Sequence, residues 1–145
     1  MRLVIGNKNY SSWSLRAWIC LSQLDVPFEE VLVSLNADGL QDRLGQFSPT
    51  KRVPVLIDGD LTVWDSLAIC EYVSAQYADG KGWPSDPALK AHARAIACEM
   101  HAGFSGVRSQ MPMNCRATRK VELTDSTLKE VQRIDTMWSD LRQAH

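Results

Sequence analysis

The chain has 145 residues, 45% of them hydrophobic and 23% charged, with a net charge of -1. That length supports one ordinary domain or two small ones around a real core, and the near-neutral balance excludes the basic footprint of a nucleic-acid binder. No apolar run approaches the roughly 20 residues that span a bilayer and the opening MRLVIGNKNY lacks a signal peptide's apolar centre, so the reading is a soluble, cytoplasmic protein with no membrane partner.

In chain order, RLVI at 2–5 is a short β-branched run that predicts a buried strand, and SLRAWICLSQLD from Ser14 carries helical periodicity through Leu15, Trp18, Ile19, Leu21 and Leu24. EEVLVSL at 29–35 alternates as a strand, so a parallel return through the helix would make a βαβ unit. VPVLIDGDLTVW predicts two short strands around Asp58-Gly59, a strong hairpin signal. Asp65-Ser66 then opens the helix LAICEYVSAQY. With a helical or irregular connection before the hairpin, the order is β-α-β, then β-β-α. This is the thioredoxin-like arrangement, an α/β domain with a mixed sheet over residues 1–77.

ADGKGWPSDP at 78–87 breaks both periodicities with two glycines and two prolines and reads as an interdomain linker. From there the chain is predicted all-helical, residues 88–145. One long helix carries the stripe Leu89, Ala93, Ile96, Met100, Phe104, Val107 and Met111, ending near Pro112. Gly103 and Gly106 inside it suggest close packing or a kink. A last helix starts among TDSTLKE, with Thr127 and Glu130 at capping-box spacing and Leu128, Val131, Ile134, Trp138 and Leu141 on one side. Two amphipathic helices cannot cover both apolar faces by themselves, so this second domain is expected to be incomplete or covered by a partner subunit.

Cys20, Cys70, Cys98 and Cys115 form no C-x-x-C pair and no histidine stands at metal-ligand spacing, so no metal site is expected. Three of them sit in apolar helical contexts as reduced core residues, and Cys115 lies in a polar loop. Ser11 and Ser14 stand where a dithiol oxidoreductase needs cysteines, and a hydroxyl cannot form the mixed disulfide. A Ser-His-Asp hydrolase is equally unsupported, because His92 and His101 lie on the long helix and His145 is terminal.

The thioredoxin-like order brings three stretches to one edge: the turn at 10–14, Val53-Pro54, and Asp65-Ser66. A helix N-terminus with neighbouring hydroxyls suits an anionic sulfur or oxygen. Read locally, Asp65-Ser66 is also what a plain N-cap looks like.

SSWSLRAWICL resembles the serine-rich S-S-C-x-x-R-x-R-I-A-L pattern of the zeta-type cytosolic glutathione transferases. SPTKRVPVLIDGD and DSLAICEYV resemble two further motifs of that superfamily, and the resemblance covers the whole chain. It implies glutathione as co-substrate and an all-helical second domain, here truncated. Ser11 would face the glutathione sulfur, with Ser12 as its neighbour; Val53 would offer backbone groups to the cysteinyl residue beside a cis-Pro54. Ser66 would hold the γ-glutamyl carboxylate and Asp65 the γ-glutamyl ammonium. Arg52 would touch glutathione or serve solubility alone. Trp13 stands where the pattern has cysteine, and would touch glutathione and wall the pocket of a hydrophobic or carboxylate electrophile, or be simply buried. His101, Met111 and Asn114 would line that second pocket, with surface or packing roles as the alternatives. The resemblance implies a cytoplasmic homodimer and a transferase or isomerase; the competing reading is a non-catalytic interaction module of the same fold.

Overall fold

The computed structural model describes residues 1–144; His145 lies outside them. The chain divides into two compact units, Met1–His101 and a second that begins at Ala102.

The first unit is built on a four-stranded sheet. β1 (Arg2–Ile5), α1 (Ser12–Gln23) and β2 (Glu29–Leu32) form the parallel βαβ unit, with Leu3 opposite Glu30 and Ile5 opposite Leu32. A short helix α2 (Leu40–Gly45) leads to β3 (Val55–Asp58) and β4 (Leu61–Trp64), which pair antiparallel in the order β2-β1-β3-β4. The hairpin turns on Gly59-Asp60, one residue beyond the dipeptide the sequence suggests, with Gly59 at φ 58° as a tight turn requires. α3 (Ser66–Tyr77) follows directly.

Strand alternation sends Leu3, Ile5 and Leu56 to one face, where Ala17 and Leu21 of α1 and Ile69 and Val73 of α3 bury them completely or nearly so. Val4 and Val55 point to the other face and meet Val33, just beyond β2, and Leu44 of α2. Both faces are covered, which is why β1 reads as a continuous apolar run rather than an alternating one. The hairpin is clamped to α3 by Asp58, whose carboxylate accepts the hydroxyls of Tyr72 at 2.8 Å and of Tyr77.

α4 (Pro87–Ala102) starts with proline at its first position and Asp86 accepting the N–H of Leu89 at 2.8 Å. Its residues as far as His101 fall in the first compact unit, and a two-pronged pair from Arg94 to Glu71, both bonds 2.8 Å, ties it to α3. That guanidinium holds the Glu71 carboxyl below its ordinary range.

The expected single helix from Leu89 to Met111 is interrupted. α4 ends at Ala102, Phe104 takes a left-handed conformation (φ 63°, ψ 43°), and α5 (Ser105–Gln110) begins anew. Leu89 of the expected stripe is exposed. α6 (Asp125–Ala144) is capped by Thr124, whose Oγ1 accepts the N–H of Thr127, so Thr127 and Glu130 do not form the expected box. Glu130 instead accepts the N–H of Val107 on α5 at 2.9 Å. Gly106 makes that approach possible, since a Cβ there would run into Thr127 Oγ1. On α6 the buried residues are Thr127 and Met137, whereas Leu128 and Trp138 of the expected stripe are exposed.

All four cysteines are free; Cys98 and Cys115 are exposed, so Cys98 is not the core residue expected. Cys20 and Cys70, distant in sequence, share a hydrogen bond between α1 and α3, which pulls Cys20 below the ordinary thiol range and pushes Cys70 up. No helix among the described residues is long and apolar enough to cross a membrane.

Candidate functional site

α1, β3 and α3 all begin at the same edge of the sheet, and their starts surround one cavity. It measures about 520 Å³ and is lined by Trp13, Thr50, Arg52, Val53, Pro54, Trp64, Asp65, Ser66 and His101. A second groove of about 510 Å³ adds Ser11 and Ser12 and shares Trp13, Arg52 and Val53 with the first.

Ser11 occupies the N-cap position of α1 but makes no side-chain cap hydrogen bond. Its hydroxyl donates to Ser14 Oγ at 2.8 Å, and Ser14 Oγ also accepts the N–H of Gly6 at 3.0 Å. The turn is tight: a Cβ on Gly6 would lie 3.0 Å from Ser11 Oγ and 2.7 Å from Leu35. Ser14, which the periodicity makes an ordinary helix residue, is therefore the polar anchor between β1 and α1. Ser12 is the first residue of α1 and partly buried.

The Val53-Pro54 peptide is cis, as the sequence motif implies. The β1–β3 ladder ends at Val4–Val55 and the β3–β4 ladder at Trp64–Val55, so Val53 lies beyond both and its backbone groups are outside the sheet's pairing. An extended peptide laid there would continue the ladder by one residue.

Asp65 is the N-cap of α3, its Oδ1 accepting the N–H groups of Leu67 at 2.9 Å and Ala68 at 3.2 Å. Its φ of 78° is costly for a residue other than glycine and is found where surrounding structure over-determines it, often at functional sites. Ser66 is 2% exposed, and its buried hydroxyl has no hydrogen-bond partner although it lines the cavity. An unpaired buried hydroxyl is uncommon because it forfeits its bonds to water, and a ligand oxygen would restore them.

Trp13 is held between two side chains, with the Arg16 guanidinium 4.2 Å from its ring centroid and the His101 ring edge-on at 5.1 Å. His101 also reaches Asp65, Nε2 to Oδ2 at 3.0 Å. Arg52 is exposed at the rim. Met111 and Asn114 belong to the second unit; Met111 closes α5 and is exposed, and Asn114 Oδ1 accepts the N–H of Arg116 at 3.1 Å. Thr50 and Trp64 line the cavity without having been singled out in the sequence. Each adjoins a motif, Thr50 two residues before Arg52 and Trp64 immediately before Asp65, and that adjacency was the available signal. Among the described residues, no group of three or more His, Cys, Asp or Glu is placed to hold a metal ion.

The β-α-β, β-β-α sheet with a proline-led third strand and a capped third helix at one edge defines a thioredoxin-like domain. Residues 10–76 match the model of the glutathione S-transferase N-terminal domain. A dichloromethane dehalogenase of Methylorubrum extorquens is 40% identical over 63 residues, 42% of this chain and 22% of that protein. A probable maleylacetoacetate isomerase of Vibrio cholerae is 30% identical over 112 residues, 75% of this chain and 52% of that protein. The chain thus spans about half or less of the length of these curated relatives. Among solved structures, the theta class glutathione S-transferase of Xanthomonas axonopodis with glutathione bound superposes with a TM-score of 0.63 at 28% identity, over 74% of this chain and 52% of that one. A diazinon-metabolizing glutathione S-transferase of Bombyx mori covers 99% of this chain and 68% of its own at TM-score 0.74 and 24% identity, a likeness of fold.

Proposed function

We propose that this chain binds glutathione in the cavity at the sheet edge and stabilises its thiolate for transfer to, or isomerisation of, a small electrophile. The observation that carries the reading is the buried, unpartnered hydroxyl of Ser66 in a cavity that also gathers Asp65 and Val53-Pro54. A γ-glutamyl carboxylate would accept from Ser66 Oγ at the start of α3, where the helix dipole favours negative charge. The γ-glutamyl ammonium would meet Asp65, and the cysteinyl backbone would pair with Val53. That placement directs the sulfur toward the start of α1, where Ser11 and Ser12 supply hydroxyls.

Magnitudes decide how the thiol is activated. An ordinary thiol has a pKa of about 8.5, and lowering it by about two units requires roughly 2.7 kcal/mol of preference for the thiolate. A helix N-terminus supplies about 0.3–1 kcal/mol when exposed and up to ~2 when partly buried. A hydroxyl donated to a charged atom contributes about 1.5–3 kcal/mol, but Ser11 must first release Ser14, a neutral bond of about 0.5–1.5 kcal/mol. Neither contribution is sufficient alone, and together they reach about 2.7 kcal/mol only toward the upper ends of their ranges, with a partly buried helix start and a strong hydroxyl bond. The serine is a donor, not a nucleophile. Trp13 and His101 would border the electrophile. The proposal extends to a cytoplasmic homodimer, with exposed Leu61 on the edge strand β4 as its support.

Calorimetric titration of the chain with reduced glutathione, followed by turnover of a panel of electrophiles, tests this. Ser11→Ala should lower kcat by about 10- to 100-fold while changing glutathione affinity less, the pattern of an interaction strongest in the transition state. If both Ser11→Ala and Ser12→Ala leave kcat unchanged, the serine mechanism is wrong. The commitment of Ser11 to Ser14 favours a second reading, a non-catalytic interaction module; glutathione binding without turnover of any electrophile would establish it.

A further inference from the structure

We infer that His101 is a positioning residue of this site, acting through Asp65 to set how strongly the cavity takes a ligand ammonium; the inference rests on the glutathione reading above. Oδ1 of Asp65 is committed to the two N–H groups that start α3, at 2.9 and 3.2 Å. Only Oδ2 remains to receive an ammonium, and His101 Nε2 stands 3.0 Å from it. The contact is fixed from a second direction by the edge-on packing of His101 against Trp13, so the imidazole is held at the end of α4 rather than free to swing away.

Nε2 beside a carboxylate oxygen must carry a hydrogen, which leaves two forms of the ring. The neutral form donates one hydrogen bond, orients Oδ2 and leaves the carboxylate's charge available. The imidazolium neutralises that charge and adds a positive charge where the ligand ammonium must sit. The added proton, taken at Nδ1, and the ligand ammonium therefore oppose one another through the charge of Asp65, and by linkage each weakens the other's binding.

The charged groups facing the pair are Arg16 from α1, which stacks on Trp13 and shares a cavity wall with His101, and Arg52 from the segment before β3. Both remain cationic at all relevant pH. Cys70 of α3 lines the same wall, with its thiol pushed up by its bond to Cys20 and by burial, so it stays neutral. Imidazole is the group whose charge changes between about pH 8 and 5.5 in general, and both partners are partly exposed, so the coupling belongs at the low end of the usual range, about fivefold.

The test is calorimetric binding of S-methylglutathione, whose blocked sulfur removes the thiol's own proton from the balance, to the wild-type chain and to His101→Gln, from pH 8 to pH 5.5, with the same probe lacking its α-amino group as the companion. Wild type should lose about fivefold in affinity on acidification, His101→Gln should bind equally at every pH, and the deaminated probe should show no slope with either protein. A flat wild-type profile, or the same slope in His101→Gln or with the deaminated probe, overturns the inference while leaving the glutathione reading intact. Absence of glutathione binding at every pH overturns both. A melting curve of His101→Gln at pH 8 shows whether the variant is folded, and if it is not, the wild-type profiles with the two probes decide by themselves.

Discussion

Ser11 donates its hydroxyl to Ser14 across 2.8 Å, and the same Ser14 oxygen accepts the buried N–H of Gly6. One side chain thus joins the end of β1 to the start of α1, at the point where the proposed thiol would arrive. Ser14→Ala removes both bonds and leaves the Gly6 N–H buried without a partner. The expected cost is about 1–3 kcal/mol in urea unfolding. A loss under ~0.5 kcal/mol would show that water or a neighbour replaces the serine.

Ser66→Ala should separate function from stability. The hydroxyl is buried without a partner, so deleting it costs the free protein nothing in hydrogen bonds, and its melting temperature should be unchanged or slightly raised. Glutathione affinity should fall by about 10- to 100-fold, the value of a hydroxyl bond to a carboxylate. A variant that loses stability and keeps affinity would mean that Ser66 serves packing alone.

Gly106→Ala tests the close approach of α5 and α6. The added methyl group meets Thr127 Oγ1, which belongs to a fully buried residue and cannot easily yield. A destabilisation of about 1–3 kcal/mol is expected in denaturant unfolding, as for other overpacked sites. Unchanged stability would show that the two helices separate without cost.

The Asp58 clamp predicts an acid-sensitive hairpin. The hydroxyls of Tyr77 and Tyr72 hold the Asp58 carboxyl below its ordinary value, while the phenol of Tyr77 is pushed up to about 12. A folded-state pKa below the unfolded one gives stability that is complete above the unfolded value of about 3.9 and is lost as pH falls through the lower folded value. Wild type should therefore exceed Asp58→Asn in melting temperature at pH 6, and the gap should narrow as pH falls below about 3.9. A gap of the same size at every acid pH down to pH 1 would mean that the clamp does not act through the carboxylate's charge.

Most of the first unit was legible in the sequence because its signals are local. A β-branched run, a helical period and an Asp-Gly turn each arise within a dozen residues, and their order leaves few ways to close a sheet. The second unit was less legible. The stripe from Leu89 to Met111 keeps its helical period across Gly103 and Phe104, yet the backbone turns there, and periodicity carries no information about a single left-handed residue. Thr127 and Glu130 have the spacing of a capping box, but Thr124 takes the cap and Glu130 reaches Val107 on another helix. Local spacing cannot rank a partner that lies 23 residues away.

The sequence by itself determined the βαβ and ββα order, the edge at which the starts of α1, β3 and α3 meet, and the residues Ser11, Val53, Pro54, Asp65 and Ser66 that stand there. Only the tertiary structure decided what those residues do with one another. It turned Ser11 toward Ser14 rather than toward its own helix, left the Ser66 hydroxyl buried and unpaired, and set His101 against Asp65. The physical reason is that the order of elements follows from periods and turns a few residues long. The partner of a hydroxyl or a carboxylate depends instead on which side chains from distant segments are packed within about 3 Å of it.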